Sequence, residues 1–177
     1  MVAQAAIRDP RELAVWAALE EIADPEIPTI SVVELGVIGQ VAFEPGPEGG
    51  ELLKVELLPT FVGCPAIDVM QQQIGERLRS LELAQAVEVT LRFTPPWTSD
   101  RITPEGREKL RGSGFAPPLF IGPAFDGQEL QLHLAEATCP YCGSPDTTLD
   151  NPFGPTLCRA IYHCDACHQP FEQFKVV

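Results

Sequence analysis

The sequence predicts an α+β fold in the order α-β-β-α-β-α, a small sheet with helices on one side, followed by a C-terminal ribbon module built on paired cysteines. Three observations carry that expectation. Helical and period-two apolar patterns alternate as far as Arg111. A stretch rich in Gly and Pro, GSGFAPPLFIGPAFDGQ (112–128), then interrupts them. Four of the six cysteines stand as two CxxC pairs near the C-terminus. The expected boundaries are an α+β domain over 1–117, a linker with a candidate short strand over 118–134, and the four-cysteine ribbon over 135–177.

Asp9-Pro10-Arg11-Glu12 opens the first helix. Asp9 can cap it, Pro10 suits the first position and Glu12 can reach back. Leu13, Trp16, Ala17 and Leu19 form its apolar stripe, Ile22 closes it, and Asp24-Pro25 stops it. The loop DPEIPTISVVELG (24–36) has at most one helical turn. Val37 to Glu44 and Glu51 to Thr60 read as strands joined by the turn cluster PGPEGG, and so as a hairpin. Pro65 starts a second helix, with Ile67, Met70, Ile74, Leu78 and Leu81 at helical spacing to about 83. In Ala86 to Thr94, Val87, Val89, Leu91 and Phe93 alternate with polar residues, the signature of a third strand. Thr103-Pro104-Glu105 starts a third helix that runs to about Arg111. Beyond the linker, ELQLHL (129–134) is the candidate strand.

Composition excludes some functions. Twelve basic against twenty-five acidic residues leave a net charge of −13, which repels nucleic-acid backbones and anionic lipids. Within 139–177, Arg159 and Lys175 face Asp146, Asp150, Asp165 and Glu172, a net −2, so a DNA-binding ribbon is not expected. No run of about 18 apolar residues marks a membrane span, and Asp9, Arg11 and Glu12 interrupt any leader. Paired CxxC motifs without a secretion signal point to a reducing, cytoplasmic setting.

Cys139-x2-Cys142 and Cys164-x2-Cys167 are separated by twenty-one residues. Each CxxC aims two sulfurs at one point, and Gly143 lets the first knuckle close. Four thiolates make the closed tetrahedral cage that suits structural zinc, although iron or an iron–sulfur cluster can use the same set, and two redox-active or unliganded pairs are the plainer alternative. His163 and His168 flank the second knuckle as alternative ligands, and Cys158 is a spare thiol.

Cys64 stands between Gly63 and Pro65, where strand gives way to helix. Amides at a helix N-terminus favour a thiolate, which can attack an electrophile, ligate iron or accept a cluster; a buried structural cysteine is the plainer alternative. Asp68 follows at i+4 on the same helical face. Asp24, Glu34 and Thr60 have plain loop readings beside a functional one. The first 130 residues contain no histidine, which argues against a cysteine–histidine catalytic pair.

The segments DPEIPTISVVELGVI, LPTFVGCPAIDVM and LRFTPPWTSDRITPEGREKLRGSGFAPP resemble the iron–sulfur assembly domain, a family once catalogued as a domain of unknown function. The tail CPYCGS…FGPTLCRAIYHCDACHQPFEQFK narrows the resemblance to the branch of small accessory subunits encoded with the bacterial phenylacetyl-CoA ring epoxidase. It covers about residues 10 to 175 and departs at Ile67, Pro155 and Arg101, none of them a proposed ligand. The resemblance implies that Cys64 is the reactive cysteine, that Asp24 and Glu34 carry the acidic loop, and that the protein handles a transient iron–sulfur cluster or iron. It also implies partners in the oxygenase and reductase components of the epoxidase. The expected role is therefore accessory and non-catalytic. A docking subunit and a thiol-dependent enzyme using Cys64 are the alternatives, the latter weakened by the missing histidines and by the lack of a cofactor-binding glycine motif.

Overall fold

The computed structural model describes residues 9–46, 49–61, 63–120, 122 and 137–175. They fall into two compact units, Met1–Trp97 and Thr98–Val177. The candidate strand at 129–134 lies outside the described residues.

The first unit holds helices α1 (Arg11–Glu20) and α2 (Ala66–Arg79) and strands β1 (Ile38–Pro45), β2 (Glu51–Leu57) and β3 (Ala86–Leu91). The strands form one sheet in the order β1-β2-β3, with β1 antiparallel and β3 parallel to β2. The parallel pair needs a crossover, and α2 provides it. Register fixes the core face: Val41 and Phe43 lie opposite Val55 and Leu53, and Leu53, Val55 and Leu57 lie opposite Val87, Val89 and Leu91. Leu53, Val55 and Leu57 are fully buried, as are Val15 and Leu19 of α1 and Ile74 of α2. Each such side chain contributes about 1.5–3 kcal/mol of burial free energy. The opposite face carries charge, with Lys54 paired to Glu44 at 4.0 Å and Arg92 to Glu56 at 2.9 Å.

Element ends differ from expectation for local reasons. Helix α1 stops at Glu20 because the next residues pair with the following loop. Asp24 N–H donates to Ile30 O and Val32 N–H to Ile22 O. Strand β2 stops at Leu57: Leu58 N–H still reaches Val37 O in the register of the β1 pairing, but Pro59 has no N–H to offer. Strand β3 ends with its partner, at Leu91. Helix α2 ends at Arg79, where the Ser80 hydroxyl donates to Arg77 O and Glu82 takes a left-handed φ of 53°. A glutamate gives no sequence signal for that conformation. At the start of α1, Asp9 Oδ1 accepts from Arg11 N–H at 2.9 Å, as expected of it, while Pro10 stands ahead of the helix rather than at its first position.

Arg11 ties this unit together. It binds Asp9 (Nη2–Oδ2 2.6 Å) and Glu51 (Nη2–Oε1 2.8 Å), reaches Leu83 O (3.2 Å), and lies 4.0 Å from the centroid of the Phe43 ring. Its hydrogen bond holds the Asp9 carboxyl at about 2, down from 3.8. A carboxylate whose folded value is depressed contributes stability that is full above its unfolded value and lost as pH falls through the folded one. Arg11→Gln is therefore expected to return Asp9 towards 3.8 and to flatten the fall of stability between 3.8 and about 2. A carboxyl NMR titration with urea unfolding checks this; an unmoved Asp9 would sink it.

The second unit holds α3 (Pro104–Gly112) and strands β4 (Phe115–Ala116), β5 (Thr147–Asn151), β6 (Arg159–Cys164) and β7 (Pro170–Phe174). Thr103 Oγ1 accepts from Gly106 N–H at 3.0 Å, so α3 starts as its sequence indicates. A 3₁₀ turn at Ser99–Arg101 precedes it. Arg107 holds the surrounding chain by donating to Ser99 O (2.6 Å), Ile102 O (3.3 Å) and Pro118 O. The sheet order is β4-β7-β6-β5, with β4 parallel to β7 and the remaining pairs antiparallel. Tyr162 and Phe171 are direct cross-strand partners whose rings stack at 5.6 Å. Among the described residues no helix is long and apolar enough to cross a membrane.

Candidate metal centre and thiol site

The ribbon core is small. Ala116, Ala137, Cys139, Ala160, Tyr162, Cys164 and Phe171 are buried together, with Leu149 and Cys167 packed against them. Several of these are the metal-ligand candidates themselves. So little apolar mass cannot hold a fold of this length without a further staple.

The two CxxC turns supply it. Gly143 N–H donates to Cys139 O at 2.9 Å in the first knuckle, and His168 N–H donates to Cys164 O at 2.8 Å in the second. The residue after each pair is left-handed, Gly143 at φ 74° and His168 at φ 60°. The glycine was legible in the sequence; a left-handed histidine carries no such signal. Cys139 N–H also donates to Ser144 O (2.9 Å) and Cys164 N–H to Gln169 O (3.0 Å), which fixes both turns.

The four ligand atoms all lie within 4.8 Å of one another. Cys139 Sγ is 3.7 Å from Cys167 Sγ, and Cys142 Sγ is 3.6 Å from Cys164 Sγ. A tetrahedron with metal–sulfur bonds of about 2.3 Å has edges of about 3.8 Å, so these thiols fit a single ion. Cys167 N–H points at Cys164 Sγ from 3.4 Å, and this backbone contact, above other causes, lowers the Cys164 thiol to about 7. Among the described residues, no other group of three or more His, Cys, Asp or Glu side chains meets in this way.

The two histidines are not drawn into the cage as alternative ligands. His163 is held between two carboxylates, Nδ1 at 2.8 Å from Asp150 and Nε2 at 2.9 Å from Asp165. The Asp150 hydrogen bond, first among several causes, raises its pKa. Thr148 Oγ1 donates to Asp165 Oδ2, extending the network across the hairpin. His168 supplies backbone geometry. Cys158 is buried, with its Sγ 3.1 Å from Thr156 Oγ1.

Cys64 lies just ahead of α2 and is partly exposed. Gly63 takes φ 82°, with open space where a Cβ would stand. Cys64 O accepts from Ile67 N–H at 3.2 Å, so the cysteine forms the entry to the helix. Asp68 sits exposed in the first turn of α2, and Thr60 is half-buried in the segment after β2. Two sequence-chosen carboxylates are engaged with backbone. Asp24 is buried, and its Oδ1 accepts from Glu26 N–H (2.9 Å) and Ile27 N–H (2.8 Å). Glu34 Oε2 accepts from Ser31 N–H (2.9 Å), while Ser31 Oγ accepts from Glu34 N–H (3.1 Å). That is a reciprocal capping box, present in the sequence as SVVE. The buried Trp97 Nε1 donates to Leu35 O at 3.1 Å, so the PPWT segment braces the end of this loop.

Comparison with known proteins divides the chain along similar lines. Residues 12–91 match the family described as iron–sulfur cluster assembly protein, and residues 126–175 match the PaaD zinc beta ribbon domain. The chain is 29% identical over 89 residues to the Fe-S protein maturation auxiliary factor YitW of Bacillus subtilis (strain 168), spanning 50% of this chain and 82% of the relative. It is 30% identical over 92 residues to an Fe-S protein maturation auxiliary factor of Porphyromonas gingivalis (strain ATCC BAA-308 / W83), spanning 52% and 83%. It is 37% identical over 174 residues, 98% of each chain, to an Escherichia coli (strain K12) protein named as a subunit of the "Putative 1,2-phenylacetyl-CoA epoxidase". An end-to-end match at that identity, with both domains accounted for, means that the chain belongs to the same family as this epoxidase subunit, the family that carries the PaaD ribbon.

Proposed function

We propose that this chain is a cytoplasmic, non-catalytic accessory subunit of a 1,2-phenylacetyl-CoA epoxidase, and that it assists assembly of iron–sulfur or di-iron centres in the oxygenase and reductase components. The observation that carries this reading is one chain joining an iron–sulfur assembly domain to a PaaD ribbon, matched along its whole length by the epoxidase relative. Zinc is the proposed ribbon ion. Cys139, Cys142, Cys164 and Cys167 would hold it, and a closed thiolate shell leaves it structural. Cys64 is the proposed handling thiol: it gives up its proton and takes iron or a preformed cluster as cargo. Asp24, Glu34, Asp68 and Thr60 are the proposed accompanying residues. The backbone bonds of Asp24 and Glu34 favour a role in shaping the loop over direct contact with cargo.

The test is to produce the oxygenase and reductase with and without this chain and to count iron and acid-labile sulfide in each. The expected result is iron-deficient component protein when the chain is missing. Equal contents in both preparations would overturn the assembly reading and leave a docking role.

A further inference from the structure

The ribbon unit presents an apolar patch that the cysteine cage does not use. Phe153 and Leu157 are 66% and 55% exposed, and both lie in the loop joining β5 to β6. The loop is well braced. Phe153 N–H donates to Asn151 Oδ1 (2.9 Å), Gly154 N–H to Arg159 O (2.8 Å), and Arg159 N–H to Thr156 O (3.1 Å). Gly154 is so close to Arg159 that a Cβ there would meet its backbone at 3.1 Å. Lys175 fastens the other side. Its N–H donates to Cys158 O (2.8 Å), its Nζ donates to Leu157 O (2.9 Å), and the ammonium lies 5.0 Å from the centroid of the Phe153 ring. The backbone that carries these two apolar side chains is thus held in place, and the Phe153 ring lies beside one cation. A surface already ordered in this way loses little conformational freedom on binding, and exposed aromatic anchors of this kind mark interaction sites.

The nature of the partner follows from charge and from the comparisons. A net charge of −13 opposes both an anionic lipid surface and a second copy of this chain. An ammonium beside apolar side chains calls for a carboxylate beside an apolar pocket. The two Fe-S maturation relatives use 82% and 83% of their length to match about half of this chain, so what is left of them is too short for a ribbon like residues 137–175. The epoxidase relative shares the chain end to end. The ribbon is therefore what an epoxidase-associated chain has beyond its general maturation relatives. We propose that Phe153, Leu157 and Lys175 form the docking surface through which this chain recognises a protein component of the epoxidase, on an apolar pocket edged by a carboxylate. The proposal rests on the functional reading above and assigns client recognition to the ribbon.

The test uses the full chain, the purified oxygenase and reductase components, and two variants: the double change Phe153→Ser with Leu157→Ser, and Lys175→Glu. Binding is measured by calorimetry at low and high salt, with metal content and circular dichroism recorded for each variant. The double variant is expected to weaken the dissociation constant at least about tenfold, the scale of losing an interface anchor. Lys175→Glu should weaken it mainly at low salt, where a rim charge counts most. Metal content should not move. Variants that bind like the parent would overturn the docking surface while leaving the functional reading intact. A parent chain that binds neither component would overturn the functional reading itself. A change in sedimentation of the variants alone, with component binding unchanged, would assign the patch to self-association and also overturn the proposal.

Discussion

Cys139→Ser is expected to remove the ion from the ribbon and unfold residues 137–175, while the first unit keeps its fold. Cys139 is only 1% exposed and belongs both to the proposed ligand set and to the buried ribbon core. A serine hydroxyl is not deprotonated at neutral pH, so the cage would keep three ligands and an open position. Apparent binding energies of structural zinc in small modules are about 10–16 kcal/mol, far more than the remaining alanines and two stacked rings of this core can supply. The first unit has its own core around Leu53, Val55, Leu57 and Ile74, and nothing in that core depends on the ion. Elemental analysis of the parent should find about one zinc per chain, and the variant only background. The stacked pair Tyr162–Phe171 gives an independent readout: its near-ultraviolet dichroism should vanish in the variant and in chelator-treated parent. A variant that keeps full zinc and its aromatic signal would remove these cysteines from the ligand set. Iron in place of zinc would keep the cage and change only the ion.

How much of this was legible beforehand depends on how local the signal is. The two strands and the helix between them were legible in Leu53, Val55 and Leu57, in Val87, Val89 and Leu91, and in Ile67, Met70, Ile74 and Leu78 at helical spacing, because each pattern has one burial solution; the parallel pairing that makes the helix a crossover was not. The start of α3 was legible because Thr103 and Pro104 are a local cap. The cysteine knuckles were legible because CxxC encodes its own turn. What escaped was decided by distant partners or by unusual backbone. Strand β4 has two residues and exists only because Phe115 and Ala116 pair with Glu172 and Gln173. The left-handed Glu82 and His168 are set by tertiary context, since neither residue type announces φ > 0. The capping box Ser31–Glu34 was in plain view as S-x-x-E, but no apolar periodicity follows it to announce a helix. That case bears on the thiol site, for it shows one of the acidic-loop residues bound to its own loop.

Cys64→Ser is expected to abolish the support this chain gives to active epoxidase in cells grown on phenylacetate, with little change in fold. The backbone explains why the fold should survive. The cysteine enters the helix through its carbonyl, which accepts from Ile67 N–H, and its amide donates to Phe61 O at 3.4 Å; serine reproduces both. The side chain is partly exposed, so replacing sulfur with oxygen leaves no large cavity. A difference of well under 1 kcal/mol is typical of such surface changes. The chemistry does not survive the exchange. Iron and cluster iron take thiolate sulfur, whereas a serine hydroxyl keeps its proton at neutral pH and is a poor competitor for the same iron. The loss should therefore appear in iron and sulfide per component protein and in growth, but not in thermal unfolding. If Cys64→Ser restores growth and iron content to a strain lacking the chain as fully as the parent does, thiol handling of cargo is wrong. Recognition through the ribbon patch would then have to account for everything this chain contributes, and Phe153→Ser with Leu157→Ser should give the growth defect that Cys64→Ser does not.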